Sequence, residues 1–230
     1  HMMLKNEEGF CTSAINSVLN SVDSIIIVDT GSSDSTVKKI KSIRSNKIKL
    51  IQKPAKSPAD LTKIRNFMLK QTKTKWFLII DGDEVYDGKK LALLIQGLNK
   101  IKRDVYRITL ARADFINSSR LRSRTSRIGK IFRTNGSSFE GNYPYEQIKC
   151  KVASKSIDLG KKLLIYHYGY FKRSSKDNSA IRHWRNLPFP IIFGKEKAPI
   201  TDSNRLIDVF NLIFLNLVSL LQKSFGFLKI

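Results

Sequence analysis

Ile25-Ile26-Ile27-Val28 runs directly into Asp29-Thr30-Gly31-Ser32-Ser33-Asp34, and the pattern recurs where Trp76-Phe77-Leu78-Ile79-Ile80 meets Asp81-Gly82-Asp83-Glu84. Short, continuous apolar runs bounded by turn residues suit strands covered on both faces. In open α/β sheets, ligands bind outside the carboxyl ends of such strands. Both acidic tips therefore fall where a ligand would sit, which favours an enzyme.

Working outward, Phe10, Ala14, Ile15, Val18 and Leu19 recur at helical spacing, so a helix within 7–20 follows the Lys5-Asn6-Glu7-Glu8 turn. Ser33-Asp34-Ser35-Thr36 supplies capping chemistry for a helix ending near Ile43. Lys47–Ile51 reads as a strand, Pro54–Pro58 as a loop, Leu61–Gln71 as a helix and 76–80 as a strand. A helix near Leu91–Leu98 and a strand at Val105–Leu110 follow. This alternation predicts a largely parallel sheet flanked by helices. Residues 112–128 read as a basic loop, with strands at Ile128–Arg133 and Lys162–Tyr168. Only Met2, Met3 and Leu4 precede the first turn, so the opening strand is short.

At 230 residues the chain is long enough for one substantial core. Lys and Arg number 42 against 19 acids, a formal charge of +23, which suits polyanions, anionic lipid surfaces or phosphorylated substrates. Two cysteines, Cys11 and Cys150, are too few for a disulfide framework and read as buried thiols in a reducing compartment. No signal peptide is visible, and His1-Met2 reads as a cloning remnant ahead of the native start. Charge alone would also describe a nucleic-acid-binding module. However, zinc spacing, an RNA-binding aromatic signature and a basic recognition helix are all missing, so no specific nucleic-acid partner is expected.

The segments LKNEEGF, SIIIVDTGSSDST, TKIRNFML, WFLIIDGDE, GKIFRTNGSSFEG, YEQI and IYHYGY occur in order across residues 3–170. Together they resemble the family-2 glycosyltransferases, in particular a bacterial branch with a KNEE turn and a DxDE motif. That branch includes lipopolysaccharide-core and peptide glycosyltransferases. The resemblance implies an α/β, Rossmann-like GT-A fold with a mostly parallel sheet, a nucleotide-sugar donor, Mn²⁺ or Mg²⁺, and inversion at the anomeric carbon. It implies donor contacts from Asn6, Glu8, Asp29, Arg65 and Asp81, and metal contacts from Asp83, Asp81 and His167.

Each residue also has a structural reading. Asp29 could accept backbone N–H bonds from the Gly31–Ser33 turn, and Asp34 suits a helix cap. The Asp81/Asp83 pair suits a hard cation that neutralises a leaving diphosphate, and Gly82 allows close approach; a solvated acidic turn is the alternative. Arg65 could reach a diphosphate, brace Asp81 or stay solvated, and His167 could equally be a packed core residue. An inverting transfer needs a general base, for which Glu146 is the candidate and Glu84 and Glu140 the competitors. The family commonly carries a His-Glu pair at this point; here Tyr145 stands in the histidine's place.

Residues 1–171 thus form the expected catalytic domain and 172–230 a C-terminal extension. Over 204–223 the polar positions Asp208, Asn211, Asn216, Ser219, Gln222 and Lys223 line one stripe of an otherwise apolar helix. Such a helix could lie in a membrane interface, pack on the catalytic domain or pair with a second subunit. The expectation is a cytoplasmic enzyme, peripheral at the inner membrane face, with a homodimer as one arrangement. It would move a hexose such as glucose from a UDP-sugar to a glycolipid or other cell-envelope acceptor, with a peptide side chain as the alternative. A catalytically inactive, scaffold-like relative is the remaining alternative.

Overall fold

The computed structural model describes residues 1–115, 125–143 and 145–169, with the backbone of two short strands at 121–122 and 192–193. The expected helix over 204–223 and most of the C-terminal extension lie outside the described residues.

Strands β1 (Met2–Leu4), β2 (Ile25–Asp29) and β3 (Ile48–Gln52) pair in parallel in the order β1-β2-β3. Helix α1 (Cys11–Leu19) connects the first two and α2 (Thr36–Ser42) the second two. A parallel bridge from Met2 to Ile80 joins this half to β4 (Trp76–Leu78). Helix α3 (Pro58–Gln71) precedes β4 and begins three residues before the expected Leu61. Its start is dictated by a Ser57 cap, Pro58 in the first turn and Asp60 closing a capping box.

Beyond β4 come β5 (Glu84–Tyr86), α4 (Gly88–Gly97), β6 (Val105–Asp114), β7 (Leu121–Arg122) and β8 (Ser126–Arg133). A hairpin of β9 (Ser137–Glu140) and β10 (Gln147–Cys150) follows, then β11 (Lys155–Asp158), β12 (Leu164–His167) and β13 (Ile192–Phe193). The second half of the sheet runs β4-β8-β6-β12-β5, with β11 also pairing β6. The sheet is mostly parallel, as expected, but β8 and β5 run antiparallel to their neighbours. The basic stretch expected as a loop from 112 is partly strand: β6 continues to Asp114 and β8 begins at Ser126.

Alternation along β2 explains its unbroken apolar run. Ile25 and Ile27 pack with Ala14, Ile15 and Val18 of α1, whereas Ile26 and Val28 pack with Ile64 and Met68 of α3. The strand is therefore buried on both faces.

The first two residues are built into the fold. Met2 is fully buried and pairs Ile27, and the His1 ring stacks on Phe77. The His1 ammonium donates to Leu78 O at 2.7 Å. It borders a groove of about 380 Å³ between Ile25–Ile26 and Trp76–Leu78. Both cysteines are free; Cys11 is buried as expected, but Cys150 is half-exposed.

Candidate active site

Strand directions decide where the chemistry gathers. β1, β2 and β6 each run parallel to their neighbour β2, β3 or β12, and β4 and β6 are both antiparallel to β8. The carboxyl ends of β1, β2, β4, β6 and β12 consequently share one edge of the sheet. That edge carries Asn6, Asp29, Asp81, Asp114 and His167. β5 runs the other way and starts there with Glu84, which pairs His167. Asp29 and Asp81 are separated by β1, roughly 10 Å at ordinary strand spacing.

On the β2 side, the two turns lock into each other. Asp29 is 2% exposed and accepts from Gly31 N at 3.3 Å, from Ser32 N at 3.2 Å and from the Ser32 hydroxyl. Gly31 has φ +110°, a conformation suited to glycine. Asn6 Oδ1 accepts from Ser33 N at 2.8 Å, and Asn6 N donates to Ser32 Oγ at 2.9 Å. Glu8 Oε2 accepts from Ser35 N at 3.0 Å, while Asp34 accepts from Thr36 N at 2.9 Å at the start of α2. The side chains of Asn6, Glu8 and Asp29 thus hold the loop that forms this rim.

On the β4 side, a cation from β8 organises the acids. Lys130 is 2% exposed, and its ammonium lies 2.8 Å from Asp81 Oδ2 and 2.7 Å from Glu84 Oε2. Glu84 is fully buried, and its Oε2 also accepts from Asp81 N at 3.2 Å. The Asp81 side chain is 41% exposed; its partial burial opposes ionisation, but Lys130 and Arg65 outweigh it and hold the carboxyl well below the ordinary carboxylate range. Burial, reinforced by Asp81, pushes Glu84 up. Between these residues, a Cβ on Gly82 would meet Leu4 Cδ2 at 2.6 Å and Glu7 Cγ at 2.7 Å. Packing against the β1 turn thus requires glycine here.

Asp83 is buried at the edge and faces His167, with Oδ1 3.5 Å from Nε2. The other ring nitrogen, Nδ1, lies 2.5 Å from Asp114 Oδ1, which Arg112 Nε approaches to 3.0 Å. Burial disfavours the imidazolium, but Asp83 and Asp114 outweigh it and lift the His167 pKa to about 10. Gly169 makes room for the ring, since a Cβ there would lie 2.8 Å from Nε2.

Among the described residues, no cluster of three or more His, Cys, Asp or Glu is arranged to hold a metal ion. The Asp83–His167 pair nonetheless fits as two ligands of one cation. Bonds of about 2.1 Å place neighbouring ligands about 3 Å apart or slightly more, which matches the 3.5 Å separation.

Glu146 stands just before β10 and is ion-paired to Arg65 of α3, Nε to Oε1 at 2.8 Å; both side chains are 9% exposed. Its Oε2 is buried and makes no hydrogen bond among the described residues. Glu140 is exposed on β9, and Tyr145 is 87% exposed. Sequence reasoning missed Lys130 and Asp114, and it placed Arg112 in a basic loop, whereas Arg112 lies in β6 and pairs with Asp114. Lys130 sat inside the quoted GKIFR segment, but no local pattern sets it apart from the other cations.

A mostly parallel α/β sheet whose carboxyl edge gathers Asp29, Asp81, Asp83 and Asp114 is a GT-A-like arrangement. The model of glycosyl transferase family 2 matches residues 1–183, and the chain belongs to that family. Its fold is similar to that of S. aureus TarS 1-349, with a TM-score of 0.51 at 19% identity over 73% of this chain and 59% of that one. The same fragment in complex with UDP-GlcNAc gives a TM-score of 0.50 at 18% identity over 82% and 66%. The chain thus spans about three-fifths of the length of the first TarS fragment. No curated protein matches it.

Proposed function

We propose that the chain is a metal-dependent, inverting hexosyltransferase. It would take its sugar from a UDP-sugar such as UDP-glucose and pass it to a lipopolysaccharide core or another glycolipid of the cell envelope. The observation that carries this reading is the Asp83–His167 pair, 3.5 Å apart beside the Lys130–Asp81 ion pair. Family membership supports it, and the TarS complex with UDP-GlcNAc illustrates the donor class.

Asp83 and His167 would hold Mn²⁺ or Mg²⁺, which when bound neutralises charge on the departing diphosphate. To serve as a ligand, His167 gives up the proton it holds between two carboxylates. Asp29 and the Asn6–Glu8 turn shape the rim that receives the nucleoside, and Lys130 fixes Asp81. As the bond from the anomeric carbon to the phosphate oxygen breaks, an acceptor oxygen bonds to that carbon from the opposite face. The acceptor's proton passes to Glu146, whose Oε2 is unpartnered while Oε1 is held by Arg65.

Residues 1–171 form the catalytic unit in this reading. The basic surface and residues 172–230 provide contact with an anionic membrane from the cytoplasmic side. Among the described residues, no helix is long and apolar enough to cross a membrane.

A thermal-shift screen of nucleotide-sugars with and without Mn²⁺ tests the reading. A UDP-sugar at one hundred times its Kd should stabilise the protein by about 2.7 kcal/mol. The metal-dependent part of that shift should vanish in Asp83→Ala. If no nucleotide-sugar stabilises the protein and only polyanions bind, with steep salt dependence, the proposal is wrong.

A further inference from the structure

The hairpin of β9 and β10 forms its own two-stranded sheet, outside the ladder of the main sheet. Polar fastening comes from two consecutive residues of α3. Asn66 pairs its amide with the backbone of Phe139: Nδ2 donates to Phe139 O at 2.8 Å, and Oδ1 accepts from Phe139 N at 2.9 Å, while Nδ2 also donates to Thr62 O within α3 at 3.3 Å. A primary amide carries both a donor and an acceptor, so this pairing imitates one rung of a strand ladder. Arg65 bonds Glu146 at 2.8 Å, and its guanidinium carbon lies 5.7 Å from the Phe139 ring centre.

The two attachments grip different arms of the hairpin. Phe139 pairs Ile148 and Glu140 pairs Gln147, so Glu146 adjoins the loop-side ladder pair, one residue before Gln147. Fixing Phe139 sets the position of that pair, and fixing Glu146 sets the direction of its carboxylate. Phe139 also sits in an apolar cluster with Leu69, Phe77, Ile79 and Phe132. That cluster holds the hairpin's inner face without specifying the carboxylate.

We infer that Arg65 and Asn66 are positioning residues that aim Glu146 at the acceptor, with Asn66 acting on the reaction only through the hairpin. This rests on the proposed function, which makes Glu146 the base. The 230-residue wild-type, Asn66→Ala and Asn66→Asp proteins are compared by amide hydrogen exchange over 139–150 and by calorimetric binding of UDP with Mn²⁺. The third measurement is the rate of UDP release from the UDP-sugar that stabilises the protein most, with water as acceptor. Asn66→Asp keeps the bond from Phe139 N and loses the bonds donated to Phe139 O and Thr62 O, so it remains informative if the alanine variant folds poorly.

The expected result is at least tenfold faster exchange in the hairpin and a UDP Kd within twofold of wild type. kcat should fall tenfold or more, with the donor KM little changed. Unchanged hairpin exchange overturns the inference, as does a tenfold loss of UDP affinity that accounts for the rate. If the hairpin loosens but the wild-type protein neither binds UDP nor cleaves any UDP-sugar, the transfer reading has failed. The positioning role fails with it, and only a structural clamp remains.

Discussion

Lys130 and Asp81 are tied across two strands, with the β8 ammonium 2.8 Å from the carboxylate at the end of β4. The same ammonium reaches Glu84, which is fully buried, so one internal cation holds both ends of the Asp81–Glu84 turn. Removing one partner of such a group leaves buried charge uncompensated, which typically costs about 3–5 kcal/mol. Lys130→Met should therefore lower unfolding free energy by roughly that amount in urea titrations. A change below about 1 kcal/mol would mean that the pair behaves like a surface ion pair.

Gly169 and Gly97 should respond in opposite ways to alanine. A Cβ at Gly169 would crowd the His167 ring, with Nε2 2.8 Å away, whereas at Gly97 nothing lies within 4 Å. Gly169→Ala should displace the imidazole from Asp83 and abolish the Mn²⁺-dependent part of UDP stabilisation. Gly97→Ala, in the last turn of α4, should stabilise the protein by about 0.4–1 kcal/mol and leave UDP binding intact. Equal UDP binding by both variants would argue against a role for the His167 position.

The His167 ring predicts a pH dependence. Burial disfavours the imidazolium, but Asp83 and Asp114 outweigh it and raise the pKa from 6.5 to about 10. The folded, metal-free chain therefore binds more protons than the unfolded one between pH 6.5 and 10. This group makes stability fall as pH rises across that window. His167→Gln should flatten the slope in urea titrations run from pH 7 to 10, and an unchanged profile would show that the ring is neutral throughout.

The strand-and-helix order of the first half was legible because its signals are local. An unbroken apolar run marked β2, and amphipathic spacing with capping residues marked α1 through α3 to within a few residues. The acids at strand ends were legible for the same reason, since strand direction alone brings them to one edge.

What was hidden depends on contacts distant in sequence. Lys130 is one of 42 cations, and only the approach of β8 to β4 sets it apart. Asp114 lies in a stretch that reads as a basic loop, although it ends a ten-residue strand. β5 is three residues long and follows directly on the acidic turn, too short for a periodicity. The Arg65-Asn66 pair stood out as a motif, but its partners lie 81 and 73 residues away.

The hairpin's separation from the main ladder has an evolutionary consequence. Its outward positions, such as Lys149 and the exposed Tyr145, can drift without disturbing a hydrogen bond of the central strands. Descendants of this scaffold can accordingly resurface one peripheral ribbon at little cost to the core, provided its two anchors on α3 stay in place.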